Sequence, residues 1–412
     1  MISYKKRTLK NGLTVVGNRD RSSKLSAVNL LYKVGARNED PDRTGFAHLF
    51  EHLMFRGTHE VPIYDLPVQM ASGEDNAFTN NDYTNFYLTL PVGNIETALW
   101  LESDRMQGLW ITPEKLETEK RVVIEEFRQR YLNQPYGDQM MLLRAMAYTT
   151  HPYRWATIGR SIDHIEAASL EEVEQFYRTH YRPSNAVLAL SADLEEEQML
   201  DLAEKWFGEL KNPDCATRPI PTEPEQTAPR CELVERDVPA TTITIAYHMG
   251  GRLSPDFCTG DLVSDMLSGG DSSRLYQHLV KEQRLFASVN AYISGDVDPG
   301  LFILTGQLLP ETTEEAAIAA FHAELEALKT EPAGHYELEK VKNKFEANTL
   351  FGELNVMNKA MNLCYYEFLG DLPLINREVS EYRSIDAERI FDFARRTFRP
   401  ENSSTLIYRA RR

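Results

Sequence analysis

The chain repeats itself. At a fixed offset of 215 residues the stretch from Val28 to Phe46 lies over that from Ile243 to Asp261 without a gap, and Tyr32, Gly35, Arg37, Thr44 and Gly45 coincide with Tyr247, Gly250, Arg252, Thr259 and Gly260. Each copy reads as a β-strand, a short acidic or proline-containing loop and a helix opening at Thr-Gly. Later in each half, Tyr181-Arg182-Pro183 with Asn185 parallels Phe398-Arg399-Pro400 with Asn402, closing a helix and opening a strand. A chain of 412 residues is too long for one compact core. The duplication therefore predicts an α+β protein of two tandem homologous domains, each a mixed, mainly antiparallel sheet with helices packed on it, enclosing a chamber. The boundary falls in the proline-rich stretch 212–230, leaving residues 1–211 as the N-terminal domain and 231–412 as the C-terminal one.

The copies differ in chemistry. His48, Glu51 and His52 fall opposite Val263, Met266 and Leu267, so only the first half carries a polar strip here. The segment Thr44 to Gly57 reads as one helix, with Thr44 suited to the N-cap and Gly57 to the position after the C-cap. Phe46, Ala47, Leu49, Phe50, Leu53, Met54 and Phe55 point in every direction around it, which predicts burial nearly all round. His48, Glu51 and His52, at i, i+3 and i+4, share one face. Burying such groups without partners costs about 1–3 kcal/mol each, and more for a carboxylate, so the strip needs something to bind. Two imidazoles one turn apart suit Zn²⁺, and a glutamate beside them suits a general base. The order H-x-x-E-H is that of the inverzincins.

A catalytic zinc usually takes three protein ligands, so a distant carboxylate is expected. Thr112-Pro113 reads as an N-cap followed by proline at the first helical position, and the helix it opens carries Leu116, Val123, Ile124, Phe127 and Tyr131 as its apolar stripe. Glu126 and Glu119, seven residues apart, flank that stripe, whereas Glu125 points away from it. Glu126 is the better ligand. Glu119 reads either as an accessory carboxylate beside the ligands or as a plain surface charge.

No apolar run reaches the roughly 18–20 residues that span a membrane. MISYKKRTLKNG is followed by no apolar h-region, which suggests a cytoplasmic chain, or a periplasmic one if a leader was removed. Cys215, Cys231, Cys258 and Cys364 lack C-x-x-C spacing and read as free thiols. A formal net charge of −17 argues against nucleic acid as a partner and is compatible with basic peptides.

His48-x-x-Glu51-His52, followed at a suitable interval by Glu119-Lys-Arg-Val-Val-Ile-Glu-Glu126, resembles the pitrilysin and mitochondrial-processing-peptidase family of zinc peptidases. TLKNGLTVV, SGEDNAFTNNDYTNFYLTLP and HPYRWATIGRSIDHI extend the likeness through the first half. Carried over by position, the resemblance implies one Zn²⁺ per chain on His48, His52 and Glu126, with Glu51 as base and Glu119 as an accessory carboxylate. It also implies a substrate strand around Asn76, Ala77, Phe78 and Thr79, which from the residues alone is equally an ordinary hairpin. The activity implied is a zinc metalloendopeptidase acting on unfolded peptides. One departure stands out. Where the family's C-terminal domain commonly supplies an Arg and, seven residues on, a Tyr, this chain has Val280 and Ala287, which points to a second homologous subunit that supplies the pair. The rival readings are a non-catalytic assembly subunit of the same fold and a zinc hydrolase acting on something other than peptides.

Overall fold

The computed structural model describes residues 1–411 and resolves two compact units. The first comprises Met1–Arg128, Trp155–Ile220 and Leu350–Arg377, the second Gln129–Arg154, Pro221–Thr349 and Glu378–Arg412.

The first unit is built on a six-stranded sheet of β1 (Lys5–Thr8), β2 (Thr14–Arg19), β3 (Leu25–Tyr32), β4 (Glu74–Thr79), β5 (Thr84–Pro91) and β6 (Ala186–Ala192), in the order β1-β2-β6-β3-β5-β4. Only β2 and β6 run parallel. β6 is buried along its whole length, because helix Val356–Phe368 covers β3 and β6 while helices Ile95–Gln107 and Glu196–Phe207 pack on β3 and β2. β4 is an edge strand, paired with β5 alone. Thr84, Phe86, Leu88 and Leu90 alternate along β5, and all four are buried.

The second unit repeats the plan with five strands: β7 (Arg230–Arg236), β8 (Thr242–His248), β9 (Phe286–Ile293), β10 (Leu301–Leu308) and β11 (Ser403–Ala410), in the order β7-β11-β8-β10-β9 with β7 and β11 parallel. One side of it is lined by a core that includes Val263, Met266 and Leu267, the counterparts of His48, Glu51 and His52, all of them fully buried. A second cluster, in which Leu143 and Ala147 of helix Gln139–Ala147 meet Ala246, Ile303 and Leu406, covers the other side.

The units are therefore not the sequence halves 1–211 and 231–412. Each sheet has a face that its own half does not cover, and each is completed by a helix from the other half: Val356–Phe368 on the first, Gln139–Ala147 on the second. Cys364 seats the former, with Sγ 3.3 Å from the carbonyls of Asn29 on β3 and Val187 on β6. The proline-rich stretch itself divides, its residues up to Ile220 belonging to the first unit.

Candidate metal centre

α1 (Phe46–Leu53) is buried at Phe46, Ala47, Leu49, Phe50 and Leu53, as its composition requires. It begins and ends inside the span read from the sequence. Its N-cap is Gly45, at φ +92°, and Thr44 instead accepts the Arg160 amide at 2.7 Å and pairs through Oγ1 with His164 Nδ1 at 2.9 Å. Gly57, at φ +80°, serves the turn beyond the helix, where a Cβ would lie 2.5 Å from the Val61 and Pro62 carbonyls. α2 (Pro113–Phe127) starts as expected, with Thr112 Oγ1 accepting the Lys115 amide, and buries Leu116, Val123, Ile124 and Phe127. Past Phe127 the chain continues as a π-helix, Arg128–Leu132.

α1 and α2 pack together, and their packing converges the three donors. Glu126 Oε2 lies 3.7 Å from His48 Nε2 and 3.5 Å from His52 Nε2. One donor atom from each of the three residues falls within 4.8 Å of the others. A tetrahedral site with bonds of roughly 2.0–2.1 Å sets its donors about 3.4 Å apart, so the three residues fit a zinc ion. The two rings meet edge to face, at 82° with centroids 4.9 Å apart. Glu125 is exposed and paired with Arg128, away from this cluster.

Glu119 is 1 % exposed, so it is no surface charge. Its Oε2 lies 3.6 Å from His52 Nδ1, the nitrogen not aimed at Glu126, while Oε1 is held by Arg56 at 2.5 Å. Burial opposes a charge on His52, but Glu119 and Glu126 outweigh it and hold the ring up to about 9. A bound cation would take the place of that proton. Glu51 is half-buried, and burial raises its carboxyl above the usual range. The hydroxyl and amide of Thr79 and the charge of His52 draw it back, while Glu126 pushes it further up.

β4 packs on α1 and brings the stretch Asn76–Thr79 to the free sheet edge. Asn80 N bonds Tyr83 O at the hairpin turn, so by antiparallel alternation the amides of Thr79 and Ala77 face outward. Asn76 Oδ1 accepts the Ala77 amide at 2.8 Å. In the second unit Val280 packs against the core and Ala287 is exposed on edge strand β9, so neither position offers a polar side chain.

Sequence reasoning missed Arg56 and Glu39. Arg56 had a signal, since it continues the row His48, His52 at the same spacing. Glu39 had none: it lies well before the helix it serves, at no recognised capping position, yet its carboxylate accepts the Gly45 and Ala47 amides at 2.9 and 2.8 Å.

A two-sheet α+β chain in which two histidines and a glutamate from adjacent helices converge, with a further glutamate on the histidine helix, has the make-up of a metallopeptidase. Residues 14–159 match the family model described as Insulinase (Peptidase family M16), and residues 167–345 match Peptidase M16 inactive domain. The chain belongs to peptidase family M16. It is 29 % identical over 406 residues to the zinc protease PqqE of Helicobacter pylori, covering 97 % of this chain and 91 % of that one. It is 24 % identical over 310 residues to a probable mitochondrial-processing peptidase subunit beta of Arabidopsis thaliana, 72 % of this chain and 57 % of that one. A solved protease from Helicobacter pylori superposes with a TM-score of 0.93 at 28 % identity, covering 99 % of this chain and all of that one. A solved M16 inactive domain from Pseudomonas fluorescens shares the fold at a TM-score of 0.88 and 19 % identity, covering 100 % and 98 % of the two chains. Among the described residues no helix is long and apolar enough to cross a membrane.

Proposed function

We propose that this chain is a zinc-dependent endopeptidase acting on unfolded peptides. The reading is carried by the convergence of His48, His52 and Glu126 beside a half-buried Glu51. Bound there, one zinc ion per chain would supply Lewis acidity at the scissile carbonyl and lower the pKa of water at the site. Glu51 removes the proton from the attacking water and returns it to the leaving amine, a task helped by the upward pull of burial on its carboxyl. Glu119, anchored by Arg56, orients the His52 ring through Nδ1. The free edge of β4 takes the substrate as an added strand, so that main-chain hydrogen bonds give affinity without strict sequence demands and select extended chains over folded ones.

Val280 and Ala287 leave the second unit without the Arg and Tyr of the family pattern, and a second homologous subunit supplies those donors in the active form. Loss of one transition-state donor typically lowers kcat 10²–10³-fold, so the lone chain is expected to be slow. The inactive-domain match at 167–345 bears on the half without the donor set and leaves His48 to Glu126 untouched.

The test pairs zinc analysis of the purified chain with cleavage of a quenched-fluorescent peptide mixture, with and without any homologous second chain that co-purifies with it. Zinc together with cleavage supports the reading. Absence of bound metal would favour the assembly subunit, zinc without cleavage a different hydrolase, and full activity of the lone chain would remove the partner.

A further inference from the structure

α1 reaches its ligands without a cap of its own. Gly45 offers no side chain and is left-handed at φ +92°, and a Cβ there would lie 2.6 Å from both the Ile158 carbonyl and Ile165 Cδ1, so only glycine fits. The first-turn amides of a helix need acceptors, and buried ones left bare destabilise it. Glu39 provides them from outside. It is 2 % exposed, with Oε2 on the Gly45 amide and Oε1 on the Ala47 amide, one residue before His48.

The loop that carries Glu39 is itself fastened at three points. The Ala36 and Arg37 amides bond the Asn80 and Asn81 carbonyls at the β4–β5 turn, at 3.1 and 2.8 Å. The Arg37 guanidinium pairs with buried Asp82 at 2.9 Å. Trp155 Nε1 donates to the Ala36 carbonyl at 3.0 Å. Glu39 thus sits at the end of a strut running from the turn beside Thr79 to the start of α1. Its two oxygens accept one amide each at the positive end of the helix. Glu39 takes no part in the hydrolytic chemistry, and burial raises its carboxyl to about 8 against the pull of the Gly45, Ala47 and Phe46 amides and the Trp155 side chain.

We propose that Glu39 is a positioning residue for the metal centre: by tying the Gly45 and Ala47 amides to the β4–β5 turn it fixes the first turn of α1, and with it the placement of His48 Nε2 against Glu126. This rests on the zinc reading of His48, His52 and Glu126.

The experiment compares the full chain with its Glu39→Ala and Glu39→Gln variants, using Zn²⁺ in competition with a chromophoric chelator, the absorption spectrum of the Co²⁺-loaded chain, and hydrogen exchange of the Ala47 to Leu49 amides in the metal-free chain. Glu39→Ala is expected to weaken zinc binding 10–100-fold, the usual effect of removing a group that supports a metal ligand. It should also alter the Co²⁺ spectrum and speed exchange at those amides. Glu39→Gln, which keeps one oxygen acceptor, is expected to fall between Glu39→Ala and the unmodified chain, and it carries the test alone if Glu39→Ala does not fold. Leu279→Ala, a cavity in the core of the second unit, controls for lowered stability and should bind zinc as the unmodified chain does. Unchanged zinc affinity and Co²⁺ spectrum in the Glu39 variants, or an equal loss in Leu279→Ala, would overturn the proposal. Failure of the unmodified chain to bind zinc would instead overturn the reading of the site.

Discussion

Arg56 and Glu119 form a partly exposed pair in which the acid is sealed from solvent and the base is not: the guanidinium is about half exposed, the carboxylate 1 %. A buried carboxylate held at one oxygen presents the other in a fixed direction, here toward His52 Nδ1. Glu119→Gln is expected to lower zinc affinity 10–100-fold with little loss of fold, checked by chelator competition and a melting curve. Arg56→Ala strands a buried charge and should cost more stability than Glu119→Gln.

Glu51→Gln leaves the three donors in place and removes the base. It should keep one zinc per chain and lower kcat by roughly 10²–10⁴-fold, the ordinary contribution of a positioned acid–base group. His48→Ala should lose metal and turnover together. Metal analysis beside a peptide assay separates the two outcomes, and rapid turnover by the Gln variant would refute the base assignment.

Chelation of the native chain is expected to abolish peptide cleavage and added Zn²⁺ to restore it. The metal-free chain should also melt lower, because a cation that binds only the folded state stabilises it. A chain whose melting and activity ignore chelator would contradict the zinc reading.

At the β4 edge, Ala77→Pro removes an outward amide and no ladder hydrogen bond, and proline is tolerated on an edge. KM for extended peptides should rise several-fold or more while the melting temperature stays within a few degrees. An unchanged KM would show that substrate does not add to this strand.

His180 gives the fold a defined acid limb. Burial, helped by the Arg182 charge, lowers its ring to about 4 from the ordinary 6.5, and it lies 4.5 Å from the Phe176 ring. With the folded value below the unfolded one, the unfolded chain binds the proton first. The stability that His180 contributes is therefore fully present above pH 6.5 and is lost as pH falls through 4, about 3 kcal/mol for this one group. His180→Phe should flatten that part of the profile, measured by urea unfolding between pH 7 and 4.

Local chemistry was readable and distant chemistry was not. Thr112-Pro113 announces α2 because cap and proline act on neighbouring residues, and the phase of Glu126 and Glu119 against the apolar stripe follows from helical geometry alone. The ends of α1 escaped because its cap comes from Glu39 while Thr44 bonds Arg160 and His164. In the second copy the helix opens at Phe257, two residues before Thr259-Gly260, where Gly260 makes room for Met249 and the Phe393 ring. Helices Gln139–Ala147 and Val356–Phe368 went unread, because nothing in their local sequence says which sheet each one covers.

That exchange of helices limits how the molecule can be taken apart. Cutting the gene in the proline-rich stretch would give two polypeptides, each missing the piece that roofs its own sheet and each carrying the piece the other lacks. Produced singly, both would display bare apolar strands and clump. Produced together, they are expected to reassemble by mutual complementation, which makes the severed pair a direct assay of whether evolution duplicated a free-standing domain or one that always needed its twin.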